Sequence, residues 1–69
     1  DMGALNVMDR TGHRTIKWDP KDAGSVRRAE AEFDVLIKRG YAAFAAGSSV
    51  KKFDPEAGEY VLVPPLAGG

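Results

Sequence analysis

The segment Val63-Pro64-Pro65-Leu66-Ala67-Gly68-Gly69 holds the pattern best suited to chemistry. Two adjacent prolines favour an extended, stiff backbone and lift the last four residues away from the body of the chain. Leu66 to Gly69 then reach at most about 13 Å when fully drawn out. Gly68 and Gly69 carry no side chain, so they can thread a narrow channel and bring a carboxylate close to another protein's active site. A rigid body, a stiff spacer and a bare end are what acyl chemistry at a terminal carboxylate requires. The carboxylate is a poor electrophile. A partner enzyme has to convert it with ATP to an acyl-adenylate before a sulfur or amine nucleophile attacks. A bare Gly-Gly carries little information, since glycine makes up about 7% of residues in ordinary proteins. Pro-Pro-Leu-Ala-Gly-Gly directly after a β-branched run is far more specific.

The remaining polar residues point to no catalytic set. His13 is the single histidine, and a metal centre needs several convergent ligands. One histidine also leaves no secure Ser-His-Asp arrangement, and no glycine-rich phosphate loop is present. Glu30, Glu32 and Asp34 spread around the exposed side of a helix and read as a solvated face. Arg27-Arg28, Lys38-Arg39 and Lys51-Lys52 are basic pairs, which Arg10, Arg14 and Lys17 could join in a modest patch; scattered solubilising charge is the simpler account. No catalytic or metal-binding residue is therefore assigned, and the chain is expected not to be an enzyme.

The elements that must carry the tail are short. Ala4 to Asp9 alternates with a period of two and reads as a strand. Arg10-Thr11-Gly12-His13 reads as a turn, and Arg14 to Asp19 as a second strand with Ile16 and Trp18 on one face. Asp19-Pro20 ends it. Asp22 and Ser25 are both credible N-caps of a helix whose stripe is Val26, Ala29, Phe33, Leu36 and Ile37, with Gly40 as the stop. Tyr41 to Ala46 fits a short central strand, Gly47-Ser48-Ser49 a loop, and Val50 to Phe53 a short strand. Asp54-Pro55-Glu56-Ala57-Gly58 is a strong turn signal. Glu59 to Val63 is the last strand, β-branched and aromatic. Trp18, Phe33, Phe44, Tyr60 and Leu62 are the expected core.

Composition sets the outer bounds. The 69 residues allow one small domain, with ten Lys and Arg against ten Asp and Glu and no cysteine. Zero net charge disfavours nucleic acid as a partner. The absence of cysteine excludes disulfide staples, thiolate nucleophiles and cysteine-based zinc sites. No apolar run approaches the roughly 20 residues of a membrane span, and no signal peptide is evident, so a cytoplasmic protein without membrane partners is expected. Asp1-Met2-Gly3 reads as a remnant of expression or trimming, residues 4–65 as the domain, and residues 66–69 as a flexible diglycine tail.

Gly58-Glu59-Tyr60-Val61-Leu62-Val63-Pro64-Pro65-Leu66-Ala67-Gly68-Gly69 resembles the C-terminal end of the ubiquitin-like sulfur carriers. It is most similar to the small subunits of molybdopterin synthases, whose tail has the form Pro-Pro-x-Ala-Gly-Gly after a final strand. The Asp54-Pro55-Glu56-Ala57-Gly58 turn and the short stretch between helix and last strand depart from that pattern. The resemblance implies an α+β, β-grasp-like fold of the form ββαββ(β), with one helix packed on a mixed sheet and an extended C-terminal tail. It implies a carrier whose Gly69 is adenylated, with Gly68 giving access and Pro64, Pro65, Leu66 and Ala67 forming the docking tail. No cofactor would be bound; ATP would be used by a partner adenylating enzyme of the ubiquitin-activating type. The product would be a thiocarboxylate that donates sulfur to an accepting protein, or an isopeptide bond to a lysine. The hydrophobic surface beside the tail would meet the activating enzyme. A different class stays open: a small bacterial or phage interaction module that pairs a sheet edge with a partner strand, its tail incidental. Weak nucleic-acid binding through the basic pairs is a third.

Overall fold

A computed structural model of the chain describes residues 1–66. The leading residues form a hairpin, β1 (Gly3–Asp9) and β2 (Gly12–Trp18), paired antiparallel from Gly3↔Trp18 to Asp9↔Gly12. The turn is tighter than the expected four residues: Arg10 and Thr11 alone span it, and Gly12 and His13 already pair in β2. Gly3, expected to lie outside the domain, is buried inside β1. An ideal Cβ there would sit 2.2 Å from Cε2 and Cζ2 of Trp18, so the six-membered ring of the indole occupies the space that a side chain at position 3 would need.

Helix α1 (Ala23–Lys38) begins where the sequence places a cap. The Asp22 carboxylate accepts from the Gly24 and Ser25 amides at 3.1 and 3.5 Å. Ser25, the other capping candidate, closes the linker instead: its hydroxyl oxygen accepts from the Asp19 amide at 2.9 Å. The helix ends in a Schellman motif, with the Gly40 amide donating to Ile37 C=O at 2.9 Å and the Tyr41 amide to Leu36 C=O at 3.0 Å. The stripe expected from its spacing faces the sheet: Ala29, Phe33 and Leu36 are buried, and Val26 and Ile37 pack at the margins.

Three further strands complete the sheet: β3 (Ala42–Ala45), β4 (Ser48–Val50) and β5 (Glu59–Val63). The sheet order is β2-β1-β5-β3-β4, with β5 parallel to β1 and antiparallel to β3. The protein is thus α+β, one helix packed on a mixed five-stranded sheet. β4 lies earlier than expected, over Ser48–Val50 rather than Val50–Phe53. A two-residue turn, Ala46-Gly47, reverses the chain with φ of +51° and +79°, the pattern of a type I′ hairpin. Alanine in that region costs about 1 kcal/mol. Ala46→Asn is therefore expected to stabilise the protein by about 0.5–1 kcal/mol, read as a raised midpoint in chemical denaturation.

The core is Leu5, Val7, Trp18, Ala29, Phe33, Leu36, Ala43, Tyr60 and Leu62. Phe44, expected to be in it, is 37% exposed on the opposite sheet face. Ala43 takes the inward position of β3, and a period of two sends its neighbour outward. The volume is filled instead by Phe53, which meets Trp18 edge-on at 4.9 Å and stacks on Tyr60 at 5.6 Å. This cluster also fixes the segment before β5. Trp18 Nε1 donates to Pro55 C=O at 3.0 Å, and the Asp54 amide donates to Tyr60 Oη at 2.7 Å.

Burial pushes the Tyr60 phenol above its ordinary value. The folded state therefore favours the protonated phenol. Its stabilising contribution is complete below the unfolded-state value of about 10 and is lost as pH climbs through the raised folded value. Tyr60→Phe should cost about 1–3 kcal/mol at neutral pH, by orphaning the Asp54 amide, and should blunt the loss of stability above pH ~10. Denaturant midpoints at both pH values check this.

Candidate docking tail and sheet face

β5 occupies the middle of the sheet, and its alternation divides its residues between two surfaces. Tyr60 and Leu62 point into the core. Val61 and Val63 point outward, 36% and 39% exposed. The β3–β5 register sets Phe44 opposite Val61 and Ala42 opposite Val63, so the outward residues form one apolar strip across the two central strands. Its other end is polar. Thr15 Oγ1 donates to Asn6 Oδ1 at 3.0 Å, and Asn6 Nδ2 donates to Glu59 Oε2 at 2.8 Å, a chain of side chains across β2, β1 and β5.

The strip ends where β5 leaves the sheet. Pro64 is half-buried and Pro65 exposed, and Leu66 is 98% exposed. Of the residues expected to form the docking tail, Pro64, Pro65 and Leu66 thus continue directly from a central strand. Ala67, Gly68 and Gly69 lie outside the described residues.

The base of the tail has structure that the sequence does not foretell. Gly40 adopts φ of +93°, and a Cβ added there would meet Pro65 Cβ and Cγ at 3.6 Å. Tyr41 precedes β3 and is held by the helix cap. Its hydroxyl donates to Asp9 Oδ1 at the far end of β1. That hydrogen bond to a carboxylate, chiefly, raises the phenol above its ordinary value, while Arg39 and Arg14 nearby oppose the rise. Asp9, Arg10, Arg39, Tyr41 and both prolines line a shallow cleft of about 390 Å³. No periodicity or motif signals this grouping, because Asp9, Tyr41 and Pro65 come from three separate parts of the chain.

No family model, curated protein or solved structure matches this chain. Its chemistry therefore rests on its own geometry.

The structure scatters the other residues singled out from the sequence. His13 is exposed on edge strand β2. Among the described residues no three His, Asp or Glu side chains come together as a metal site. Glu32 does more than cover a solvated face: its carboxylate reaches Arg14 Nη2 on β2 at 2.5 Å and raises the guanidinium's already high pKa. Both side chains are substantially exposed, so the pair is worth at most about 1 kcal/mol. Arg10 and Arg39 share the cleft at the tail base. Among the described residues no helix is long and apolar enough to cross a membrane.

Proposed function

We propose that the chain is a β-grasp carrier of the ubiquitin-like type, a protein co-substrate rather than an enzyme. The observation that carries this reading is the exit of the tail. A strand paired on both sides, β5, runs into Pro64-Pro65-Leu66, with Ala67-Gly68-Gly69 next in sequence. A centrally held strand gives the tail a rigid origin. The sheet order β2-β1-β5-β3-β4 and the exposed strip of Phe44, Val61 and Val63 beside the exit support the same reading.

In the proposed reaction the Gly69 carboxylate attacks the α-phosphorus of ATP in the partner's active site. Pyrophosphate leaves, and an acyl-adenylate forms. Hydrosulfide, or a donor that delivers sulfur at the same oxidation level, then attacks the acyl carbon and displaces AMP to leave a thiocarboxylate; alternatively a lysine amine displaces AMP and loses a proton, giving an isopeptide bond. The bare glycines let the reacting carbon approach without a Cβ in the way. The tail prolines and Leu66 dock, and the apolar strip adds contact area.

Intact-mass measurement of the protein incubated with ATP and extract of its own cells tests this. A species heavier by the exchange of one oxygen for one sulfur identifies the sulfur carrier. Conjugation leaves a branched peptide on the acceptor lysine. No Lys or Arg occurs after Lys52, so trypsin would leave the whole segment from Phe53 to Gly69 attached. An unaltered mass in every condition overturns the carrier reading.

The interaction-module reading has one observation in its favour. β2 is a seven-residue edge strand that pairs with β1 alone among the described residues. A proline placed in β2 to block strand addition would abolish partner binding under that reading and leave acyl transfer intact under the first.

A further inference from the structure

Two proline residues stiffen a tail, but they do not decide where it points. That is decided at the joint, and here the joint is built from three distant parts of the chain. The β3–β5 ladder pairs Ala42 with Val63, which brings Tyr41 alongside Pro64 at the next position. The Schellman cap holds the Tyr41 backbone through its amide's bond to Leu36 C=O. Asp9 holds the other end of the side chain through the hydroxyl. Gly40 faces the Pro65 ring across a gap about one methyl wide, since a Cβ built there would lie 3.6 Å from Pro65 Cβ and Cγ. Pro64 and Pro65 line one cleft with Tyr41 and Asp9.

We propose that Gly40, Tyr41 and Asp9 form a seat for Pro64 and Pro65 that fixes the direction in which the tail leaves the sheet. This rests on the carrier reading for its purpose: Gly40, Tyr41 and Asp9 are positioning residues for acyl transfer at Gly69. The seat acts through preorganisation. A tail already aimed loses less freedom on entering a partner's channel, so binding is tighter without any new contact. The Asp9–Tyr41 bond spans the end of β1 and the start of β3, on either side of β5, and so closes the frame from which the tail emerges.

The chain has no cysteine, so introduced cysteines can be spin-labelled specifically. Labels at Leu66→Cys on the tail and Glu30→Cys on the exposed side of α1 report the tail's direction as a distance distribution. A narrow distribution is expected in the otherwise unaltered protein. Tyr41→Phe, which removes only the hydroxyl, and Gly40→Ala, which strains the backbone at φ of +93° beside Pro65, should each broaden or shift it. Arg27→Ala, remote from the joint, should not. That strain falls in the helix cap, so Tyr41→Phe decides the matter if Gly40→Ala folds poorly. In an adenylation assay with the activating partner, Tyr41→Phe should raise KM about 5–10-fold with kcat little changed, the mark of lost ground-state binding. Distance distributions unchanged by both Tyr41→Phe and Gly40→Ala overturn the seat. Broadened distributions in a protein that no extract adenylates leave the seat standing and overturn the carrier reading instead.

Discussion

Trp18→Ala is expected to cost about 3–5 kcal/mol, the range for removing a large buried aromatic side chain. A 69-residue domain has only about 3–10 kcal/mol in total, so this variant should be largely unfolded at ambient temperature. Trp18 is completely buried, meets Phe53 and Tyr60, and its indole N–H ties down Pro55 C=O. Its loss therefore opens a cavity and releases the segment leading into β5. The other side of the indole makes a sharper test. Gly3→Ala would drive a methyl into the six-membered ring of Trp18, at a cost of about 1–3 kcal/mol by overpacking. Phenylalanine does not have the indole atoms concerned. In a Trp18→Phe background Gly3→Ala should cost much less than in the native one. A double-mutant cycle by urea denaturation measures that difference as a coupling energy. Equal costs in the two backgrounds would mean that the close approach of Gly3 and Trp18 is not what makes position 3 intolerant.

Under the carrier reading proposed above, deleting Gly68 and Gly69 is expected to reduce acyl-adenylate formation to background while leaving the thermal midpoint unchanged. No residue beyond Val63 pairs in the sheet among those described, so the fold should not register the loss. The reacting carboxylate would retreat by about 7 Å, whereas displacements near 1 Å can already cost about a hundredfold in rate. Gly69→Ala keeps the length and adds one methyl at the reacting carbon's neighbour; it should lower the rate without abolishing partner binding. A Gly69→Ala protein with full transfer activity, or a deletion variant that still forms adenylate, would remove Gly69 from the chemistry. Retention of every partner interaction in the deletion variant, with no transfer in the native protein, would favour the edge-pairing module.

How far these elements are legible in the sequence depends on the kind of signal each carries. α1 combines a helical stripe, an oxygen-bearing cap and a terminal glycine, three independent indications of the same boundaries. β5 has a β-branched run between Gly58 and Pro64 and is found with its expected limits. β4 is displaced because the hairpin turns on Ala46 at positive φ, and alanine gives no hint of that conformation. Phe44, expected in the core, lies outside it, since Tyr41 to Ala46 is apolar at nearly every position and its pattern does not distinguish the two faces. Phe53 contributes to the core from an irregular segment, where no periodicity exists to read. The prolines of the tail are visible in the sequence, whereas the seat beneath them is not. Asp9 and Tyr41 are 32 residues apart, and only the completed sheet brings them together.

The parallel pairing of β1 with β5 has a consequence for the order of folding. The two hairpins and the helix can form from local contacts as the chain is made. The slot between β1 and β3, however, stays vacant until Glu59–Val63 arrives. Until then two inner strands present unpaired edges, and closing the sheet means joining segments more than 50 residues apart, the kind of contact that slows folding. β5 is in this sense a keystone supplied late. A chain cut within the 51–58 segment should accept a separate peptide carrying Glu59–Val63 in trans, completing its sheet by strand insertion.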